Sequence, residues 1–470
     1  YIDLNFVDAD TLAGAAFTSL LHSYIRNRHP SCDALRMDEL IVAAEPHIPR
    51  TIEKIKNVLA STGHQRQRIE HLFAVIDLFI TETSLKPLCI VEEFTFLKKL
   101  HKKTVADLTK YILAQKNCMF IFLSAQRTRA EELLNNELNI LFGKFEKIQL
   151  NELRDSEAKQ HVGTVLSERL TPQALKFLIE ITGRNPFYLQ HFSCAIARLP
   201  VDRIDDELFL QTVTDIISDS HSVVYQICLN TLTRLRDNVR TGRVIDILRL
   251  IAGGYTRRKE IASFVHIDTR QLTSKLSCLV DDNIISRTGS FYYITDRILA
   301  FWISTVLKCR TMNGFLHEED SRRYIRTMVG SIYNDMTRTC EKDSLDRFLE
   351  LIHQFKDDTV QFNRKSVRLP QIRKFRVVPA HGSNMKFIIG EARDSYLIMA
   401  FTERRAEEAD IIEFSNRCGY FRTKQPRKIF VALDGMDSNL KLLAKEKKLV
   451  CWNRNNINLL MNLYNQPSLV

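Results

Sequence analysis

Apolar residues in this chain follow two rhythms. Short unbroken runs at 88–91 and 118–123 fit strands buried on both faces of a parallel sheet. Around them lie stretches with the helical period, at 10–27, 50–82 and 103–115; in the second, Ile52, Ile55, Val58 and Leu59 share one face. The alternation at 1–7 predicts a strand, and 145–153 predicts a further short one. Strands alternating with helices imply a doubly wound parallel sheet, so residues 1–155 are expected to form an α/β core.

Further along, the helical period dominates. Residues 156–221 predict a small helical lid. In it Thr171-Pro172 reads as an N-cap followed by proline at the first helical position, and Gly183 and Pro186 break and restart a helix. Residues 222–310 predict a winged helix. Val244, Ile245, Leu248 and Ile251 mark its first helix, 257–264 its second, and Asp268 opens a third. A hairpin follows at 284–295, turning near Gly289. Leu272, Leu276 and Leu279 commit one face of the third helix to a core, leaving Arg270, Thr273, Ser274 and Lys275 for its outer faces. That order of elements would put the third helix in a major groove and Arg287 of the hairpin against phosphate. Packing against protein is the alternative use of such a module. Residues 311–360 predict a helical linker. Residues 361–470 predict a second α/β domain, with strands at 366–378, 385–391, 395–401 and 428–433, a helix at 403–418 and a short strand near 447–452.

Composition narrows the class. The chain has 470 residues, enough for two to four domains, and is 45% hydrophobic and 26% charged, as soluble globular proteins are. No apolar run approaches the ~20 residues that span a bilayer, and no secretory signal pattern opens the sequence at Tyr1. Ten scattered cysteines form no C-x-x-C pair, which favours reduced thiols and a cytoplasmic setting over disulfides or zinc. The net charge of +11 is unevenly placed: 1–221 carry −3, 222–310 carry +7 and 311–470 carry +7. A polyanion, most simply DNA, is the partner this implies for the later domains; solubility alone is the plainer account. Six bases, Arg364, Lys365, Arg368, Arg373, Lys374 and Arg376, fall within thirteen residues without an acid, a candidate phosphate-binding surface or else a solvated strand face.

The run at 88–91 ends in two carboxylates, Glu92 and Glu93. Ligands of open α/β sheets bind just beyond the strand C-termini. One carboxylate there can hold a hydrated Mg²⁺ on a nucleotide, and a second can orient the attacking water. Taken alone, the pair also fits an acidic surface turn. The next apolar run likewise ends in a polar residue, Ser124, followed by Arg127 and Arg129.

The segments Tyr1-Ile-Asp-Leu4, Lys86-Pro-Leu-Cys-Ile-Val-Glu-Glu-Phe94 and Phe120–Ser124, in this order, resemble the P-loop ATPases of the AAA+/STAND group. The resemblance is strongest to the prokaryotic ATPases often called archaeal-type. It implies ATP and Mg²⁺ as cofactors, Glu92 as the metal-side carboxylate where the family has Asp, Glu93 as the catalytic glutamate and Ser124 as the sensor. Thr182-Gly-Arg-Asn-Pro-Phe-Tyr-Leu-Gln190 is similar to the family's TGGNPFYLQ lid element. Arg184 stands for its second glycine and is a sensor-arginine candidate for the γ-phosphate, against a plain turn arginine. Arg127 and Arg129 are candidates for arginine fingers acting across a homo-oligomer, with a surface helix the favoured alternative. The segment 292–303 is similar to the family's Y-x-I-x-D-P-x-L-x-F-W, matching at Asp296, Leu299, Phe301 and Trp302, with Arg297 for proline. No G-x-x-x-x-G-K-[ST] occurs, and the resemblance places that loop just before Tyr1.

At the C-terminal end the resemblance implies a restriction-endonuclease-like domain. Glu391-Ala-Arg393 stands for its Glu-x-Lys, and Arg376 lies near its expected Asp, so the nuclease chemistry is expected to be lost. Three functions remain open: an ATP-driven switch acting on DNA, a DNA-binding scaffold without hydrolysis, and an ATP-dependent nuclease.

Overall fold

The computed structural model of this protein describes residues 1–8, 11–29, 36–60, 65–100, 103–141, 143, 145–237, 243–312, 317–362, 365–379, 385–393, 396–419 and 426–469. They form two units, Tyr1–Gln149 with Asp281–Asn283, and Leu150–Val280 with Ile284–Val470.

In the first unit, β1 (Ile2–Asp3), β2 (Leu88–Glu92) and β3 (Met119–Leu123) make a parallel sheet in that order. Parallel neighbours need crossovers, which the helices between them supply. On one face the helices Leu12–Arg28, Pro49–Ala60 and Gln65–Thr83 bury Phe17, Ile52, Val75 and Phe79. On the other, Thr104–Ala114 and Arg127–Asn136 bury Val105, Leu108 and Leu133 with Val91 and Phe94. Both faces are covered, which is why the strands read as continuous apolar runs. Two expectations are corrected. The strand at 1–7 is only two residues long. The stretch 145–153 enters no ladder: its alternation leaves Ile148 76% and Leu150 91% exposed, and without a neighbour's N–H and C=O groups a strand-like pattern does not make a strand.

The second unit begins with helices whose ends follow local chemistry. Thr171 caps Pro172–Ile181, its Oγ1 accepting from the Ala174 N–H at 3.1 Å, and Asn185 caps Pro186–Ala197, accepting from the Phe187 N–H at 2.9 Å. The two family-like segments meet here. The Tyr188 hydroxyl donates to Asp296 at 2.6 Å, and the Arg297 side chain lies so near Gly183 (φ +59°) that a Cβ there would meet its Cγ at 2.6 Å. Trp302, Phe301 and Leu299 are buried, and the Trp302 indole donates to the Ile217 carbonyl at 3.0 Å. One hydrophobic cluster runs from Ala158 to Tyr333, so the borders expected near 221 and 310 cut a shared core.

Helices Val244–Ala252, Arg258–Val265 and Thr269–Asp281 precede a hairpin of β4 (Ile285–Thr288) and β5 (Phe291–Ile294). Then, inside the stretch expected to be a helical linker, comes a strand, β6 (Asp358–Phe362), paired antiparallel with β7 (Lys365–Leu369). The 366–378 run is two strands, broken around Pro370, the second being β8 (Ile372–Pro379). With β9 (Lys386–Ala392), β10 (Tyr396–Thr402), β11 (Arg427–Ala432) and β12 (Val450–Trp452) it forms a mixed sheet ordered β12-β11-β10-β9-β8, antiparallel from β8 to β10 and parallel from β10 to β12. Ile388, Met399, Val431 and Trp452 pack on one face with Ser344–His353 and Arg454–Leu463. Phe387, Ala400 and Phe430 pack on the other with Glu408–Gly419 and Ser438–Glu446.

The hairpin belongs to this sandwich. Phe291 is fully buried in its core, and the Ser290 N–H donates to the Thr359 carbonyl at 2.8 Å. A Cβ on Gly289 (φ +63°) would meet that same carbonyl oxygen at 2.0 Å. Beside it lies Asp358, 3% exposed, accepting from Arg257 Nε and Nη2 at 2.7 and 2.9 Å, the Tyr464 hydroxyl at 2.6 Å and the Lys356 N–H at 3.1 Å. Burial opposes the charge on both Asp358 and Arg257. Their mutual hydrogen bonds and attraction outweigh it, holding Asp358 below the ordinary aspartate range and Arg257 above the ordinary arginine value.

Asp358→Ala leaves Arg257 without its carboxylate, and an unfolding titration of the full chain is expected to lose about 3 kcal/mol from the transition of the second unit. Because the folded pKa of Asp358 lies below the unfolded value of ~3.9, its contribution is complete above that pH and fades as pH falls through the folded value. The stability gap between parent and variant should therefore narrow on acidification; a gap independent of pH would deny the charged cluster its role.

Candidate functional site

Strand β2 ends with Glu92 in register with Asp3 on one side and Leu123 on the other. The chain then turns sharply. Glu93 has φ +50°, a left-handed conformation that costs a non-glycine residue of order 1 kcal/mol, and its carbonyl accepts from the Phe96 N–H at 2.9 Å to start a 3-10 turn. The turn directs the Glu93 side chain towards the end of β3. There the Ser124 hydroxyl donates to Oε2 at 3.0 Å and the Ala125 N–H to Oε1 at 2.7 Å. Ser124 in turn accepts from the Gln126 N–H at 3.0 Å, and the Gln126 side chain accepts from Arg129 at 2.9 Å. Glu93 is only 8% exposed, yet both of its oxygens are bonded and each keeps a lone pair. Glu92 is half-buried, accepts from the Tyr1 hydroxyl, and offers its backbone carbonyl to the Leu4 N–H at 3.1 Å.

So Glu92, Glu93 and Ser124 converge at the C-terminal edge of the parallel sheet. What sequence reasoning missed is the Ala125 amide, a donor no side-chain motif records; the signal available was only the strand ending at Ser124. Among the described residues no three His, Cys, Asp or Glu side chains gather as a metal cage.

The arginine candidates are elsewhere engaged. Arg127 is exposed and pairs with Glu131 at 3.3 Å, one turn along its own helix. Arg184, in the second unit, adopts φ +59° and pairs with Asp155 at 3.0 Å and Glu152 at 3.3 Å. Burial disfavours its charge, but the Asp155 hydrogen bond and the neighbouring carboxylates outweigh this and raise its pKa. To meet a phosphate, Arg184 must leave both acids.

On Thr269–Asp281, Leu272, Leu276 and Leu279 are buried, Arg270, Thr273 and Ser274 are exposed, and Lys275 is half-buried. The Thr273 hydroxyl bonds back to the Thr269 carbonyl at 2.7 Å. Arg287 is exposed on β4, its guanidinium 5.7 Å from the Tyr292 ring centre and bonded to the Gly289 carbonyl at 3.1 Å. The hairpin turn beyond it does not lie free for a groove, as the winged-helix reading expects. It is packed on Thr359, because its glycine allows backbone-to-backbone approach. Of the six-base stretch, Arg368, Arg373, Lys374 and Arg376 are exposed. Arg368 pairs with Asp357 at 3.2 Å, Lys374 lies opposite Glu391 in the ladder, and Arg373 is exposed at an irregularity of β8. Lys365 begins β7, and Arg364 lies outside the described residues.

No protein-family model matches the chain, and no curated protein matches it. Solved structures with some likeness include the Walker-type ATPase PaBY2304 of Pyrococcus abyssi, at 15% identity over 64% of this chain and 83% of that one, with a TM-score of 0.44. A point mutant of RuvB from Thermotoga maritima shares 14% identity over 53% of this chain and 82% of its own, with a TM-score of 0.28. Protein VC1899 from Vibrio cholerae shares 10% over 83% and 94%, with a TM-score of 0.14. These values are too low to transfer a role, so the function must be argued from the chain's own residues.

Ser124→Ala removes one donor to Glu93 and the acceptor of the Gln126 N–H. The expected cost is about 1 kcal/mol in the unfolding of the first unit, with Ser124→Thr close to the parent. Equal stability of all three proteins would show that the hydroxyl does not hold the glutamate.

Proposed function

We propose that this chain is an ATP-driven switch of the AAA+/STAND kind that acts on duplex DNA. The observation that carries the reading is Glu93: a glutamate buried at the C-terminal end of a parallel strand, in a strained backbone conformation, with its carboxylate fixed by Ser124 and the Ala125 amide. A buried carboxylate met by neutral donors, beside an acid that can face solvent, separates two tasks. Glu92 would hold a Mg²⁺-bound water, and Glu93 would orient the attacking water and take its proton on a free lone pair. Bound Mg²⁺ would neutralise charge on the phosphates during transfer. Arg184 and Arg127 remain candidates for the γ-phosphate, each at the expense of its present ion pair.

DNA contact is supported by the order of three helices and a hairpin, by the segment charge of +7, and by the exposed row Arg270, Thr273 and Ser274 beside Lys275. Within the same proposal the C-terminal sandwich is an endonuclease-like fold without nuclease chemistry. Its Glu391 lies on β9 with Lys374 opposite on β8 and Tyr396 opposite on β10, neither of them an acid.

Glu93→Gln keeps size and hydrogen-bonding while removing the base. Fluorescent-nucleotide binding should stay within a few-fold of the parent, while ATP turnover falls by roughly 10²–10⁴. Parent-like turnover in the variant would remove this role from Glu93, and a parent that binds no nucleotide would end the ATPase reading.

For the DNA arm, anisotropy of labelled duplex at several salt concentrations gives a log–log slope of roughly −0.9 per phosphate neutralised. Replacing Arg270, Lys275 and Arg287 together with alanine should weaken binding and flatten the slope by about that amount for each phosphate no longer neutralised. An unchanged slope would mean that this face meets protein.

A further inference from the structure

Two thiols approach each other at the opposite end of the sheet from the carboxylates. Cys89 Sγ, on β2, and Cys118 Sγ, just before β3, are 3.5 Å apart. The ladder beside them is regular, with Leu88 against Met119, Cys89 against Phe120 and the Met119 N–H on the Pro87 carbonyl at 3.1 Å. Both are free thiols and half-buried, so a small oxidant has access and a bulky one has little. A disulfide needs the sulfurs at ~2.05 Å, so about 1.5 Å remains to be closed. The thiols are also unequal. The hydrogen bond from Cys118 favours the Cys89 thiolate, while the same bond and burial raise the pKa of Cys118. Attack then begins at Cys89, and Cys118 resolves it.

We propose that Cys89 and Cys118 are a redox modification site, oxidised by a peroxide to an intramolecular disulfide that staples β2 to β3. The Cys89 thiolate attacks one peroxide oxygen, the O–O bond breaks, and the departing hydroxide takes a proton to leave as water. Cys118 then attacks the sulfur of the Cys89 sulfenic acid, the S–O bond breaks and a second water leaves with the Cys118 proton. Two thiols have lost two electrons and two protons, and one hydrogen peroxide has become two waters. The bond joins residues 29 apart in sequence and fixes the base of the two strands whose far ends lead into Glu92, Glu93 and Ser124. It depends on none of the roles assigned to those residues.

The test uses the full chain treated with hydrogen peroxide, blocked with iodoacetamide and digested with trypsin without reductant. The mass spectrum should hold a peptide pair linked through Cys89 and Cys118, lost after dithiothreitol. The oxidised chain should melt on the order of 5 °C higher in its first unit. In Cys118→Ser, dimedone should trap Cys89 as sulfenic acid. The exposed Cys278 serves as the internal reactivity control. If Cys278 is oxidised while Cys89 and Cys118 are both still alkylated, or if either links to another cysteine instead, the proposal is overturned; the parent chain alone decides this, whether or not the variant folds.

Discussion

A carboxylate removed from water must be supplied with hydrogen-bond donors, and each unit of this protein is organised around one that is. In the first, Glu93 is met by a hydroxyl and a backbone amide from the next strand end. In the second, Asp358 is met by a guanidinium, a phenol and a backbone amide. The neutral donors around Glu93 orient its charge without cancelling it, which is what a general base requires. The cation against Asp358 cancels the charge, and what results is a clamp. Arg257 also lies over the rings of Phe291 and Tyr464, at 5.0 and 5.3 Å, so the cluster binds the start of one helix, the hairpin and the C-terminal sandwich at one point.

Features set by neighbours in sequence were legible. The cap at Thr171, the restart of a helix at Pro186, the opening of the Thr269–Asp281 helix at Asp268, and the face of Leu272, Leu276 and Leu279 follow from residues within one or two turns. The junction of the carboxylates with Ser124 was legible too, because parallel strands with buried faces must end on one side. Features that depend on pairing across distance were not. Arg257 and Asp358 are 101 residues apart, and nothing in their local pattern joins them. The alternating stretch 145–153 shows the opposite failure: a local pattern sufficient for a strand, with no ladder to receive it.

The hairpin shows how one glycine redirects a module. With a side chain at Gly289 the turn would stand away from Thr359 and its tip would be open to a ligand. Without one, backbone meets backbone and the tip becomes part of the sandwich core. Arg270, Thr273 and Ser274 of Thr269–Asp281 stay exposed, as does Arg287 on β4. Charge counted along a sequence ignores the acids that folding brings up, as Asp357 is brought to Arg368.

Two glutamates, one just past a strand and one within a strand, make the same point about chemistry. Glu93 and Glu391 both follow apolar runs, and motif reading treats the first as a catalytic glutamate and the second as a metal carboxylate. Glu391 ends on an exposed face with a lysine directly across the ladder, at a spacing of ~5 Å where opposite charges attract. A cation placed there would compete with Lys374. Glu93 has no basic residue among its hydrogen-bond partners and has Glu92 beside it in the chain. The difference comes from the residue that the fold sets opposite each acid.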